Sequence, residues 1–328
     1  MPERELTFAQ AVREALAEEM RHDARVCILG EDVAEAGTPF KVLSGLVEEF
    51  GAERVIDTPI SEAGFTGIGV GAAMTGLRPV VDIMFGDFLT LTMDQLVNQA
   101  AKIHYMSGGH WRVPMVVRTT LGATRRSAAQ HSQSLHAWFS HIPGLKVVLP
   151  STPYDAKGLL KAAIRDENPV VFFEDKMMYK LKGLVPAEDY TIPLGVADVK
   201  RLGRDLTLVA TSSMVQVALG AAILLEKEGI SAEVVDPRTT WPLDERTIIE
   251  SVKKTSRAIV LDEGYGRYGV ASEIAAVIAE GAFYDLDAPV ARMGAMHVPI
   301  PFSPPLEDRT VPTEETVFNR AKAMCKRL

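Results

Sequence analysis

The residues best suited to chemistry lie in two places. One is Glu62, which ends a Pro-led turn and opens a run, EAGFTGIGVGAA, made almost wholly of small residues. A carboxylate there has two readings. As a cap it would answer the partial positive charge of a helix N-terminus; as a functional acid it would be buried against a ligand nitrogen. The other place is AAQHSQSLHAWFSHIPG, where His131, His136 and His141 recur at five-residue spacing. That spacing follows no single helical face, so a three-histidine metal site is not expected. His131 is flanked by Gln130, Ser132, Gln133 and Ser134, all able to orient an imidazole. A solvated loop histidine is the competing reading. His141 precedes Ile142 and Pro143 and reads as the brace of a turn. Phe85 and Phe88 follow an apolar strand and read either as core or as a stacking platform.

The glycines after Glu62 need a reason, because each costs roughly 1 kcal/mol in a helix interior relative to alanine. A dinucleotide-binding loop does not supply it. Gly67, Gly69 and Gly71 lie inside a helical pattern, with the wrong third spacing and no strand leading directly into them. Close approach of another backbone is the better explanation, so Glu62 is expected at a tightly packed helix contact.

The elements that must carry these residues alternate. Thr7 to Gln10 has the form of a capping box before an amphipathic helix. RVCILGED and RPVVDIMF read as buried strands, VLSGLVEEFG as a helix closed by Gly51, and DFLTLTMDQLVNQAAKIHYMSGG as one long helix. VPMVVRTT, LKVVLP and PVVFFED are further apolar strands, with YDAKGLLKAAIRDEN a helix between the last two. Strands that are apolar throughout argue for a parallel sheet covered on both faces. Periodicity weakens in KGLVPAEDYTIPLG. The expected division is therefore a first α/β domain over 1–180, a linker over 181–204 and a second α/β domain over 205–328, both doubly wound. A Pro-rich segment, IPFSPPLEDRTVP, precedes a terminal helix, TEETVFNRAKAMCKRL.

Composition narrows the classes. With 328 residues, 47% hydrophobic and 24% charged, the chain reads as soluble, globular and large enough for two cores. A net charge of -8 without a basic block argues against nucleic acid. Cys27 and Cys325 are the only cysteines and have no metal or disulfide spacing. No apolar run approaches the ~20 residues that span a bilayer, so a cytoplasmic, bacterial setting is expected.

Taken together, TPISEAGFTGIGVGAA, DFLTLTMDQLVNQAAKIHYMSGG, AAQHSQSLHAWFSHIPGLKVV and AAIRDENPVVFFEDKMMY resemble the β subunits of the thiamine diphosphate-dependent 2-oxo acid dehydrogenase (decarboxylating) components and their acetoin dehydrogenase relatives. The resemblance covers essentially the whole chain in order. HVPIPFSPPLED with RRSAAQHSQSLHAWF looks most like the acetoin branch, with the pyruvate and branched-chain branches close behind.

The resemblance implies a transketolase-like pyrimidine-binding domain followed by a transketolase C-terminal-type domain, in an α2β2 heterotetramer with thiamine diphosphate shared between α and β. Glu62 matches the acid that hydrogen-bonds N1′ of the aminopyrimidine. Ile60 and Met84 match pyrimidine contacts, Phe88 the ring that packs on the pyrimidine, and His131 the β-subunit active-site histidine. Ala163 (through its carbonyl), Asp166 and Asn168 match a structural potassium site. The chain lacks the GDG-then-NN segment that holds magnesium and diphosphate, which implies that the α subunit supplies it. The implied activity cleaves acetoin or a 2-oxo acid and passes the acyl group to the lipoyl group of a dihydrolipoyl acyltransferase. The implied docking surface for that acyltransferase is the C-terminal domain, with RMGAMHVPIPF and KAMCKRL as candidates. Two competing readings are a single-chain transketolase or synthase and, from another class, a non-catalytic scaffold of the complex.

Overall fold

The structure is a computed structural model and describes residues 3–326. Contacts divide the chain into two compact units, Met1–Leu121 with Trp138–Leu194, and Gly122–Ala137 with Gly195–Leu328. The polar stretch carrying His131 thus belongs to the second unit, although its flanks belong to the first.

In the first unit the strands are β1 (Glu3–Thr7), β2 (Val26–Gly30), β3 (Val55–Asp57), β4 (Arg78–Ile83), β5 (Val116–Leu121), β6 (Lys146–Val148), β7 (Val170–Asp175) and β8 (Lys182–Pro186). Strands β6-β7-β5-β4-β2-β3 lie side by side, each pair parallel. The helices are α1 (Phe8–His22), α2 (Leu46–Phe50), α3 (Glu62–Met74), α4 (Ala101–Met106), α5 (His136–Ser140, crossing into the second unit) and α6 (Pro153–Arg165). Alternation along β4 sorts the faces. Val80 joins the core built with Phe8 and Leu16 of α1 and Leu159 and Leu160 of α6. Its neighbour Val81 points the other way, so that a Cβ on Gly69 of α3 would come within 2.6 Å of it. Gly69 is therefore a close-packing glycine, and α3 covers the face opposite α1 and α6.

The expected capping box is present: Gln10 N–H donates to Thr7 Oγ1 (3.2 Å) and Thr7 N–H to Gln10 Oε1 (2.8 Å). Gly51 closes α2 at φ +79°. The long helix expected from Asp87 to Gly109 is instead three pieces, a 3₁₀ run Gly86–Thr92, a π run Asp94–Ala100 and then α4. Close approach at its start explains part of the irregularity, because a Cβ on Gly86 would lie 2.4 Å from the Thr120 carbonyl oxygen. The stretch 181–204 contains β8, which pairs antiparallel with β1, and a further strand, β9 (Asp198–Arg201).

The second unit adds β10 (Leu206–Ala210), β11 (Ala232–Asp236), β12 (Thr239–Trp241), β13 (Ala258–Tyr265) and β14 (Ala291–Ala295). The sheet order is β14-β13-β10-β11-β9, parallel except for the antiparallel edge strand β9. Its helices are α7 (Met214–Glu226), α8 (Glu245–Thr255), α9 (Val270–Ala282), α10 (Pro304–Glu307) and α11 (Glu314–Cys325). Leu208 and Ile259 pack with α7 and α11, whereas the adjacent Val209 and Val260 pack with α8 and α9. Both sheets are thus covered on both faces, the doubly wound arrangement expected. Of the KAMCKRL candidate, Arg327 and Leu328 lie outside the described residues.

A buried charge cluster ties the central strands of the first unit together. Arg118 on β5 donates to Asp82 on β4 and, through Nε and Nη2, to Glu174 on β7 at 2.5 and 2.7 Å. All three side chains are buried. Burial raises the pKa of both carboxyls, and the guanidinium opposes that rise. Arg118→Met would strand two carboxylates in the core. Such a loss typically costs about 3–5 kcal/mol, and denaturant unfolding monitored by fluorescence should read a destabilisation of that size. A change under about 1 kcal/mol would contradict it.

Candidate active site

Glu62 is the first residue of α3, after Ser61, whose side chain makes no cap bond. It is 7% exposed, and its carboxylate has no hydrogen-bond or ion-pair partner among the described residues. Around it, Ile60 is 81% exposed, while Met84 and Phe88 are half-buried. The helix face carrying Gly64, Ile68 and Gly71 is exposed. A Cβ on Gly71 would meet nothing within 4 Å, and one on Gly64 would meet only Ser61. Of the α3 glycines, Gly69 alone has a close packing contact among the described residues, so the close contact expected at the others is not made by those residues.

A second carboxylate went unassigned in the sequence. Glu31 follows β2, where Gly30 pairs with both Asp57 and Asp82. Gly30 is required there, since a Cβ would lie 2.6 Å from the Asp82 carbonyl oxygen. Glu31 is buried, and its Oε2 has no hydrogen-bond partner. Burial pushes its pKa up, and the negative charges of Glu62, Asp32 and Asp82 push it further. Glu31 is therefore biased to keep a proton. An acid at a strand's end carries no spacing signal, which is why sequence reasoning passed over it.

The aromatic pair at the end of β4 is a cluster. Phe85 meets Phe88 edge-on at 6.0 Å, Phe40 meets Phe85 at 5.8 Å, and Lys176 Nζ lies 5.4 Å from the Phe85 ring. The Met84 carbonyl accepts from Thr120 Oγ1 at 2.9 Å. With Gly86 against Thr120, this bond fixes the backbone between Met84 and Phe88.

The Ala163, Asp166, Asn168 group forms the end of α6. The Ala163 carbonyl accepts from Asp166 N–H at 3.3 Å. The Asp166 carboxylate accepts from Lys146 Nζ at 2.5 Å, and from Asn168 N–H and Nδ2 at 2.9 and 3.0 Å. Burial would raise the Asp166 pKa, but Lys146 and these N–H donors outweigh it and hold it low. Arg78 Nη1 donates to the Ile164 and Asp166 carbonyls, 3.0 Å each. The carboxylate is thus engaged by an ammonium, and the neighbouring main-chain carbonyls already accept from Asp166 N–H and Arg78. Among the described residues no group of three or more His, Cys, Asp or Glu could hold a metal ion.

In the second unit, His131 is half-buried, in a segment without regular structure that runs to α5. Thr124, Arg126 and Ala128 all have left-handed φ, +68°, +61° and +61°. Such conformations cost of order 1–3 kcal/mol each for non-glycine residues and cluster at functional sites. Ser132 Oγ is buried without a partner. His136, which the sequence reading gave no role of its own, is fully buried and meets both Asp262 oxygens through Nε2 at 3.0 and 3.2 Å. His141 is exposed in the turn after α5.

Two α/β units with largely parallel sheets, the first with buried acids at a strand end and a helix N-terminus and the second with a strained histidine loop, define a transketolase-type chain. The family described as "Transketolase, pyrimidine binding domain" matches residues 4–182, and "Transketolase, C-terminal domain" matches residues 195–317. The chain is 52% identical to the acetoin:2,6-dichlorophenolindophenol oxidoreductase subunit beta of Bacillus subtilis, over 96% of each chain. It is 49% identical to the 2-oxoisovalerate dehydrogenase subunit beta of the same organism, over 92% of this chain and 93% of that one. It is also 49% identical to the pyruvate dehydrogenase E1 component subunit beta of Rhizobium meliloti, over 98% of this chain and 70% of that one. A solved structure titled "Split gene transketolase, inactive beta4 tetramer" shares the fold, with a TM-score of 0.79, 22% identity and 98% coverage of both chains. The chain belongs to the β-subunit family of the thiamine diphosphate-dependent 2-oxo acid and acetoin dehydrogenase components.

The Glu31 assignment has a pH signature. Its folded-state pKa is raised above the unfolded value of about 4.3, so ionisation carries a cost that is absent below that value and grows as pH rises through the folded one. Glu31→Gln removes that cost. By calorimetry, its Tm should match the unmodified chain near pH 4 and exceed it near pH 8. A Tm difference independent of pH would contradict the assignment.

Proposed function

We propose that this chain is the β half of a dehydrogenase component whose active site is completed by an α subunit, and that it acts on acetoin or a 2-oxo acid. The carrying observation is Glu62, a buried carboxylate with no partner among the described residues, beside a glycine face left open. An ion taken out of water needs a hydrogen-bonded or charged partner. A protonated or N–H-bearing ring nitrogen of an aminopyrimidine would satisfy it.

Thiamine diphosphate, when bound, supplies the electron sink for breaking the bond next to the substrate carbonyl. Glu62 would hold a proton at N1′ of the ring, in a dry setting where its charge acts strongly. Ile60 and Met84 would contact the pyrimidine, and Phe88 would pack on its face. Fixed by the Thr120 bond and Gly86, these residues would present a preset surface. His131 would serve the substrate side, moving protons at the carbonyl or hydroxyl oxygen and assisting acyl transfer to a lipoyl group.

The same reading gives magnesium and the diphosphate to the α subunit. It gives potassium, if held, to the carbonyls around Ala163, Asp166 and Asn168. The assembly is α2β2, with the face of Gly64, Ile68 and Gly71 turned to a partner chain and a second β chain completing the symmetry. The dihydrolipoyl acyltransferase core would dock on the C-terminal domain, in the cytoplasm of a bacterium. Among the described residues no helix is long and apolar enough to cross a membrane. Domain limits of 1–180 and 205–328 go with this reading, with 122–137 given structurally to the second domain.

The test is Glu62→Gln in the enzyme reconstituted with its α subunit. Dye reduction should fall by about 10²-fold or more, with the tetramer intact by native mass spectrometry. Unchanged turnover would favour the scaffold reading. Comparing acetoin, pyruvate and 3-methyl-2-oxobutanoate on the same enzyme assigns the branch.

A further inference from the structure

The segment 122–137 should not be stable on its own terms. Thr124, Arg126 and Ala128 alternate through the left-handed region, and helix begins only at His136. Conformations of this kind persist when the surroundings over-determine them. Carboxylates of the second unit do so here at three points. Ala123 N–H donates to Glu263 Oε1 at 2.6 Å, and Ser213 Oγ braces the other oxygen at 2.9 Å. Arg126 N–H and Nη1 both donate to Glu307 Oε2, at 3.2 and 2.7 Å, and Nη1 also reaches Asp308 at 2.7 Å. His136 Nε2 meets Asp262, which Thr211 Oγ1 holds at 2.6 Å.

We infer that Glu263, Glu307 and Asp262 act as a three-point clamp that fixes the 122–137 segment, and with it His131, in its working conformation. The inference rests on the role proposed for His131. The attachment points at 123, 126 and 136 bracket residue 131. Two of them grip backbone N–H groups, and only a backbone bond restrains φ and ψ directly. Glu307 is fully buried, so the left-handed turn at Arg126 is held by a carboxyl with no access to water, and bonds assisted by the Arg126 charge are the strong ones. Burial pushes the Asp262 pKa up, and His136 and Thr211 more than offset it, leaving it below the usual range. The clamp also gives SPPLED and RRSAAQ a common purpose, since Glu307 of the first meets Arg126 of the second. These acids are positioning residues; they touch the loop, not the substrate.

The test uses Glu307→Gln and Arg126→Gln in the full chain and in the enzyme reconstituted with its α subunit. Arg126→Gln leaves the buried Glu307 in place should Glu307→Gln fail to fold. Hydrogen exchange by mass spectrometry over 122–131 should speed up by about tenfold or more in either variant, with the rest of the chain unchanged. In the reconstituted enzyme kcat should fall by about tenfold while KM holds, and Glu307→Asp should recover part of the loss. Unchanged exchange over 122–131, or faster exchange there with kcat intact, would overturn the clamp. His131→Ala, run beside them, separates the two readings. It should lose activity with exchange unaltered, whereas full activity would overturn the role given to His131 and leave the exchange result to judge the clamp.

Discussion

A carboxylate removed from water must be paid for by a partner, and Glu62 has none among the described residues. The rest of the first unit follows from keeping that acid buried, fixed and open on one side. Gly69 lets α3 settle on Val81, which places the helix start at the carboxyl end of the parallel sheet. Gly30 lets β2 run close under Asp82 and deliver Glu31 into the same field. Arg118, spanning Asp82 and Glu174, locks the strands beneath. In parallel α/β sheets the carboxyl ends of the strands are where ligands bind, and the acids and the aromatic cluster both gather there.

The two units contribute in different ways. The first places Glu62 at the start of α3 and Met84 and Phe88 just beyond the end of β4. The second offers His131 on a loop that has no regular structure and is held by buried acids. A half-buried histidine is well served by a segment whose backbone is fixed from outside, because its ring then keeps its place without being fully buried itself.

Much of the architecture was legible because it rests on local signals. The capping box at Thr7, the glycine stop at Gly51 and the apolar strands each depend on a few neighbouring residues. The run from Gly86 to Met106 was not legible in detail. Its 3₁₀ and π turns answer to the Thr120 carbonyl and to packing on α3, neither of which leaves a periodic trace. The β1–β8 pairing joins residues about as far apart as 3 and 186, so KGLVP read as linker. Site residues divide the same way. Glu62 stood out through its glycine-rich context and the family motif. Glu31 did not, because its field comes from three separate strand and helix ends. The five-residue histidine spacing carried no sign of the His136–Asp262 contact, because Asp262 lies far along the chain on β13. Spacing tests a shared helix face and says nothing about a contact across the fold.

The central claim is that this chain holds half of a cofactor site. Calorimetric titration of thiamine diphosphate with magnesium into this chain alone, its α subunit alone and an equimolar mixture tests it most directly. Saturable tight binding should occur only in the mixture, and Glu62→Gln should weaken it there. Binding by this chain alone, with the affinity of the mixture, would contradict the claim.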